Sequence, residues 1–387
     1  MPRTPRTSAK AKDRSSPIQL LTPEGEIVRD TKLPFDPLSA DLPALYRDMV
    51  MIRRLDTEAI ALQRQGELGL WPSLFGQEAA QVGAARALLP TDMVFPTYRE
   101  HGVAWCRGLD PASLLGLFRG TTLGGWDPAD ANFNLYTLVI GAQTLHGVGY
   151  AMGIVRDLAR DLLDTSKAGT GELPAVLVFL GDGALSEGET NEAFIWATTQ
   201  SLPVVFFCQN NQWAISAPYS VQSTVPVAQR AAGFGLPGVR VDGNDVLACL
   251  AATRRALRKA RTGGGPTLIE AFTYRRNAHT TADDASRYRE SAEEQEWAGK
   301  DPIARLHAHL TATGAVEPAF FDEVEAEAKD FAEGLRSRCR ALPEPDASLP
   351  FEHTYAEMTP ELHRQLAQHR AHLASLQETA EHAGDRA

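Results

Sequence analysis

Two periods alternate along this chain. Solid apolar runs at residues 175–180 (AVLVFL) and 204–208 (VVFFC) are each bounded by turn residues, and Thr267–Phe272 follows a Gly-Gly-Gly-Pro break. Together with residues 238–242, they read as strands, most of them buried on both faces as in a parallel sheet. Helical spacing fills the intervals. From about residue 42 to 66, Leu45, Met49, Ile52, Leu55, Ile60 and Leu62 share one stripe. Further helices are predicted over residues 77–89, 111–119, 142 to about 163, 187 to about 200, and 246–262 with Asp245 as N-cap. Residue 95 opens a short extended piece, 120–133 reads as a loop and 165–172 as a turn. Strand and helix alternation predicts an α/β fold, a doubly wound, mostly parallel sheet with helices on both faces. That domain spans residues 38–300. A charged helical C-terminal extension covers 301–387, and 1–37, with four prolines from Pro17 to Pro37, forms a disordered or extended tail.

Composition narrows the class. A chain of 387 residues that is 43% hydrophobic can bury a large core. A formal net charge of −11 argues against nucleic acid and anionic membrane surfaces as partners. Four scattered cysteines without a CxxC point to a reducing compartment and no disulfide framework. No run approaches the ~18 apolar residues of a spanning helix. The basic start (Arg3, Arg6, Lys10, Lys12, Arg14) lacks the apolar stretch of a secretory signal. A cytoplasmic location is expected, with a targeting role for the tail left open.

The strand ends carry the candidate chemistry. Gly181-Asp182-Gly183 closes the first run and Asn210-Asn211 the second, one helical crossover apart. By itself a Gly-Asp-Gly is an ordinary turn. The spacing places a carboxylate and an amide oxygen on the same edge of a parallel sheet. Hard oxygen ligands suit Mg²⁺ shared with phosphate oxygens, and that edge is where α/β sheets bind ligands.

This pattern resembles the thiamine diphosphate-binding fold. Further segments in order sharpen the likeness: Gly76-Gln77-Glu78-Ala79-Ala80, Thr97-Tyr98-Arg99-Glu100, Gly141-Ala142-Gln143, Asn210-Asn211-Gln212-Trp213-Ala214-Ile215-Ser216, and Tyr274-Arg275 through His279. Over residues 40–350 the chain is similar to α subunits of the thiamine diphosphate-dependent E1 component of 2-oxo acid dehydrogenase complexes. The resemblance implies Mg²⁺ ligands at Asp182, Asn211 and the Trp213 carbonyl. It implies diphosphate contacts from Tyr98, Arg99, and the Gly183 and Ala184 N–H groups at the start of the following helix. Gln209, where branched-chain relatives carry Arg, becomes a neutral donor. Backbone groups of Leu138 and Ile140 would hold the aminopyrimidine, their side chains simply packing, and Gln143 would lie near a structural K⁺ site. His279 would touch both diphosphate and reacting acid as the acid–base residue of this chain. Thr280 stands at a phosphoserine position of animal enzymes, and no such control is expected here. Gly147, Gly149 and Gly153 would allow close helix approach, within the subunit or across the interface.

The glutamate that activates the cofactor comes from the β subunit in such enzymes, so half a site is expected here, completed in an α₂β₂ heterotetramer that acylates a lipoyl-bearing E2. Residues 206–208, 214–216 and 283–284 look more like those of branched-chain enzymes, which implies branched-chain 2-oxo acids such as 3-methyl-2-oxobutanoate; the Gly141 segment looks pyruvate-like and leaves pyruvate as the alternative. A stand-alone transketolase-like half and a non-catalytic Rossmann-like binding protein are the rivals. The latter requires a GxGxxG turn after the first strand, and none is so placed.

Overall fold

The computed structural model describes residues 16–122, 124–160 and 173–384. The predicted 165–172 turn, the end of the 142–163 helix and residues 1–15 of the tail lie outside them. The first half of the chain contains α1 (Leu42–Arg64), α2 (Glu78–Ala85), β1 (Met93–Phe95), α3 (His101–Cys106), α4 (Pro111–Arg119), α5 (Pro128–Ala131) and α6 (Ala142–Ala159). The central crossover is β2 (Val176–Gly181), α7 (Gly188–Thr199) and β3 (Val204–Asn210). A small antiparallel pair, β4 (Trp213–Ala214) and β5 (Ala217–Pro218), leads through α8 (Tyr219–Gln222) and α9 (Val227–Arg230) to β6 (Gly238–Asp242), α10 (Val246–Arg261) and β7 (Thr267–Phe272). The remainder is helical: α11 (Ser291–Ala298), α12 (Pro302–Thr313), α13 (Ala319–Arg340), α14 (Leu349–Glu352) and α15 (Pro360–Gly384).

Five strands form one parallel sheet in the order β1-β2-β3-β7-β6. Period-two geometry splits the apolar runs between two cores. Leu177, Phe179, Val205, Phe207, Ile269 and Val241 join the layer that includes α1, α2 and α10. Val176, Val178, Leu180, Val204, Phe206, Cys208 and Leu268 join the layer of α6 and α7. Continuous apolar strands are therefore what a sheet covered on both sides requires. Asp245 caps α10 as predicted, accepting from the Leu247 and Ala248 N–H groups. Gly147 explains one expected close approach: a Cβ there would stand 2.4 Å from Val178 Cγ2, inside this chain. Gly149 and Gly153 face open space in this chain.

The lead-in at 16–37 is extended but fastened. Ile18 pairs with Val241 at the β6 edge, and both Leu20 and Leu21 N–H groups donate to Asp245 Oδ2. The predicted short loop at 120–133 contains α5. Among the described residues no helix is long and apolar enough to cross a membrane.

Candidate active site

Because β1, β2, β3 and β7 are parallel and adjacent, their C-terminal ends meet on one edge. They deliver residues 97–100, 181–184, 209–215 and 273–279 to one cavity of about 230 Å³. Tyr98, Arg99, Ile140, Asp182, Gly183, Ala184, Gln209, Asn211, Trp213 and His279 all line it. Leu138 does not. Nor do the side chains of that segment pack as expected: Leu138, Val139 and Ile140 are 68%, 72% and 44% exposed. No element among the described residues covers them.

Asp182 is buried at the end of β2, with Gln222 Nε2 donating to its Oδ2 at 3.0 Å. Burial pushes its carboxyl up to about 6, against the pull of Gln222 and Arg275. Residues 182–186 form a 3-10 turn, and α7 starts only at Gly188. The Gly183 and Ala184 N–H groups thus belong to that turn rather than to a helix start, and the macrodipole placed there by sequence begins a turn later. Gly183 is needed for another reason: a Cβ would stand 2.9 Å from Ala214 Cβ. Asn210 ends β3 and donates to Glu270, whereas Asn211 faces the cavity. The Trp213 carbonyl accepts from Arg275 Nη1 at 2.9 Å. A metal would have to share that oxygen with the guanidinium.

The turn carrying Tyr98 and Arg99 is clamped on itself. Glu100 Oε2 accepts from Thr97 N (2.5 Å) and Oγ1 (2.6 Å), and Oε1 accepts from Gln209 Nε2 (2.6 Å). Gln81, from α2, donates to the Arg99 carbonyl and to Gln209 Oε1. Gln209 is therefore engaged with Glu100 and Gln81 while lining the cavity. Burial raises the Glu100 carboxyl even so.

Two guanidiniums are buried here, Arg99 and Arg275. Both donate to carbonyl oxygens: Arg99 to Ser73 and His279, Arg275 to Trp213 and Ile215. Neither pairs with a carboxylate among the described residues. Burial, and behind it the charge of Arg99, lowers the Arg275 guanidinium to about 10. Buried guanidiniums without a direct ion pair suit an anionic ligand. His279 lies between them, its Nδ1 3.2 Å from Arg99 Nη2 and 3.3 Å from Arg275 Nη1. A guanidinium only donates, so Nδ1 accepts and the proton sits on Nε2, which faces the Tyr98 hydroxyl at 3.5 Å. Burial and the two cations hold the imidazole down at about 3. His279 is thus a neutral N–H donor in this geometry, where the sequence suggested an acid–base group.

The His279 loop is strapped by residues 71–76. Thr281 N donates to the Trp71 carbonyl, Trp71 N to Thr281 Oγ1, Arg276 N to the Phe75 carbonyl, and Asn277 Nδ2 to Ser73 Oγ. Gly76, at φ +94°, makes this possible, since a Cβ would lie 2.4 Å from the Tyr274 carbonyl. Asp56 of α1 holds the strap in turn through Trp71 Nε1, Ser73 Oγ and Leu74 N. Gln143 donates to the Phe179 carbonyl and also lines the cavity. Sequence reading passed over Gln81, Arg275 and this strap; only the motif context of Gly76-Gln77-Glu78 and Tyr274-Arg275 signalled them.

Among the described residues no three His, Cys, Asp or Glu side chains group to hold a metal. One carboxylate, one amide and one carbonyl suit a hard cation that brings further oxygens with it. The dehydrogenase E1 component family model matches residues 46–346. The chain is 45% identical over 359 residues to the 3-methyl-2-oxobutanoate dehydrogenase subunit alpha of Mycobacterium tuberculosis, covering 92% of this chain and 94% of that protein. It is 37% identical over 355 residues to the pyruvate dehydrogenase E1 component subunit alpha of Acholeplasma laidlawii, covering 90% and 98%. The family match over residues 46–346 and the identity to these α subunits over most of the length place the chain in the dehydrogenase E1 component family, among its α subunits.

Proposed function

We propose that this chain supplies half of a thiamine diphosphate site for the oxidative decarboxylation of branched-chain 2-oxo acids such as 3-methyl-2-oxobutanoate. The carrying observation is the cavity edge on which two buried, carboxylate-free guanidiniums stand beside Asp182 and Asn211. That donor set fits a diphosphate and its Mg²⁺. Asp182, Asn211 and the Trp213 carbonyl would hold the metal; Arg99, Tyr98 and the Gly183 and Ala184 N–H groups would hold the diphosphate. Arg275, by donating to the carbonyls of residues 213 and 215, shapes the turn that presents Asn211 and Trp213. Thiamine diphosphate, when bound, would supply a nucleophilic carbon for the 2-oxo acid carbonyl and an electron sink for the loss of CO₂. His279, its proton on Nε2, would donate to the carboxylate or carbonyl of the substrate, and Arg99 and Arg275 keep that imidazole oriented.

Two features favour a β partner. The carboxylates on the cavity wall are taken, Asp182 by Gln222 and Glu100 by Thr97 and Gln209, while Glu187 stands at the exposed rim. The glutamate that activates the cofactor would then come from a β subunit in an α₂β₂ assembly, with a lipoyl-bearing E2 as acyl acceptor. The mouth is apolar and bare, at Leu138, Val139, Ile140 and Ile215. Substrate choice rests on the higher identity to the mycobacterial protein named for 3-methyl-2-oxobutanoate. Pyruvate is the second reading. Turnover of 3-methyl-2-oxobutanoate against pyruvate by the αβ pair tests the choice; preference for pyruvate overturns it.

A further inference from the structure

Gln77 carries an amide that the fold leaves half used. It is fully buried at the residue preceding α2, makes no side-chain cap to that helix, and lines the cavity. A chain of hydrogen bonds starting at a backbone group sets its orientation. Trp213 N–H can only donate, so the Asn211 atom facing it at 3.2 Å is Oδ1. Asn211 Nδ2 then points to Gln77, and the atom receiving it at 3.2 Å is Oε1. Nε2 is the end that remains, and it has no hydrogen-bond partner among the described residues. Buried donors are rarely left so in native proteins. The cavity it shares also holds the buried, carboxylate-free guanidiniums of Arg99 and Arg275. A wall so rich in donors calls for an anionic acceptor.

We infer that Gln77 Nε2 donates to a phosphoryl oxygen of the diphosphate held beside Asn211, while its Oε1 fixes the Asn211 amide with Oδ1 available to Mg²⁺. This rests on the cofactor reading above. The two ends of one side chain thus serve the anion and the metal ligand together. Gln77→Met removes both roles; Gln77→Glu keeps an acceptor for Asn211 but puts an anion where the donor stood.

The test is thiamine diphosphate binding to the αβ assembly at stepped Mg²⁺ concentrations, followed by calorimetry, with thermal melting as a fold control. Gln77→Met should weaken binding about tenfold or more and raise the Mg²⁺ needed for half-saturation. Gln77→Glu should weaken it at least as far. Wild-type affinity in both variants, with binding lost in Asp182→Ala, overturns this inference alone. Wild-type affinity in Gln77→Glu with loss in Gln77→Met overturns the donor role. Should Gln77→Met fail to fold, Gln77→Glu decides by itself. Absence of Mg²⁺-dependent binding in the wild type, or its survival in Asp182→Ala, overturns the cofactor reading and this inference with it.

Discussion

At the scale of single residues, the site works against the stability of the free chain. Asp182 has its carboxyl raised from 3.8 to about 6 by burial. Between those values the folded chain binds a proton that the unfolded chain releases, so the group favours folding at low pH. Its contribution is lost as pH rises through 6, leaving an ionised buried carboxylate that costs up to about 3 kcal/mol. Asp182→Asn should therefore raise the melting temperature in EDTA at pH 8 by a few degrees, change it little at pH 4, and remove the stabilisation given by Mg²⁺ with thiamine diphosphate. Differential scanning calorimetry reads all three. His279 runs the other way. Its imidazole, lowered from 6.5 to about 3, resists protonation in the folded chain, so it disfavours folding as pH falls through that window. By NMR, the free chain should accordingly show no imidazole titration near 6.5 that disappears in His279→Ala. That variant should lose roughly 10²–10³ in turnover, as when one positioned donor is removed, while sedimenting as the same assembly. Asp182, Asn211 and His279 were legible in sequence because strand ends and short motifs announce them. Gln77 and Gln81 were not: their partners Asn211 and Gln209 lie 134 and 128 positions away, and no local spacing encodes such a contact.

Among elements, the decisive one is a strap without regular secondary structure. Residues 71–76 join α1, through Asp56, to the His279 loop, through residues 276, 277 and 281. Arg289 adds bonds to the Arg275 and Arg276 carbonyls, and Arg276 pairs with Glu294 and Asp301, so both backbone bonds and ion pairs fasten the loop. Asp56→Ala would strand the Trp71 Nε1 and Leu74 N–H donors in a dry interior, each worth about 1–3 kcal/mol. It should lower the melting temperature and quicken tryptic cleavage at the exposed Arg287, a cut that cofactor and β partner should slow in the wild type. Mass spectrometry of the first fragments distinguishes this from global unfolding, which would cleave throughout. β2, β3, β7 and α10 could be read from sequence because burial on two faces and an aspartate cap leave plain patterns. The 3-10 turn at 182–186 could not, since cavity geometry rather than periodicity chooses it over an early helix. The bare Leu138–Ile140 segment looked like core because apolar residues do not say which chain will cover them.

For the whole molecule, the proposed β partner would cover that bare mouth. The isolated chain should decarboxylate no 2-oxo acid, measured with an artificial electron acceptor, and should gain activity on adding the β partner. Val139→Asp places a charge on a residue 72% exposed here. It should leave the melting temperature of the α chain nearly unchanged yet prevent co-elution with β in size-exclusion chromatography, because a desolvated lone charge at an interface is costly. The fastened lead-in has a consequence of another kind, in the order of biosynthesis. Ile18, Leu20 and Leu21 dock on Val241 and Asp245, and Arg305 closes over the Leu21 carbonyl, 284 residues later. A ribosome making roughly 5–20 residues per second reaches Asp245 some 10–45 s after Leu20. Over that interval Leu20 and Leu21 have no docking surface, so the earliest described residues to be synthesised are among the last to settle, and nascent chains stalled before residue 240 should expose them to chaperones.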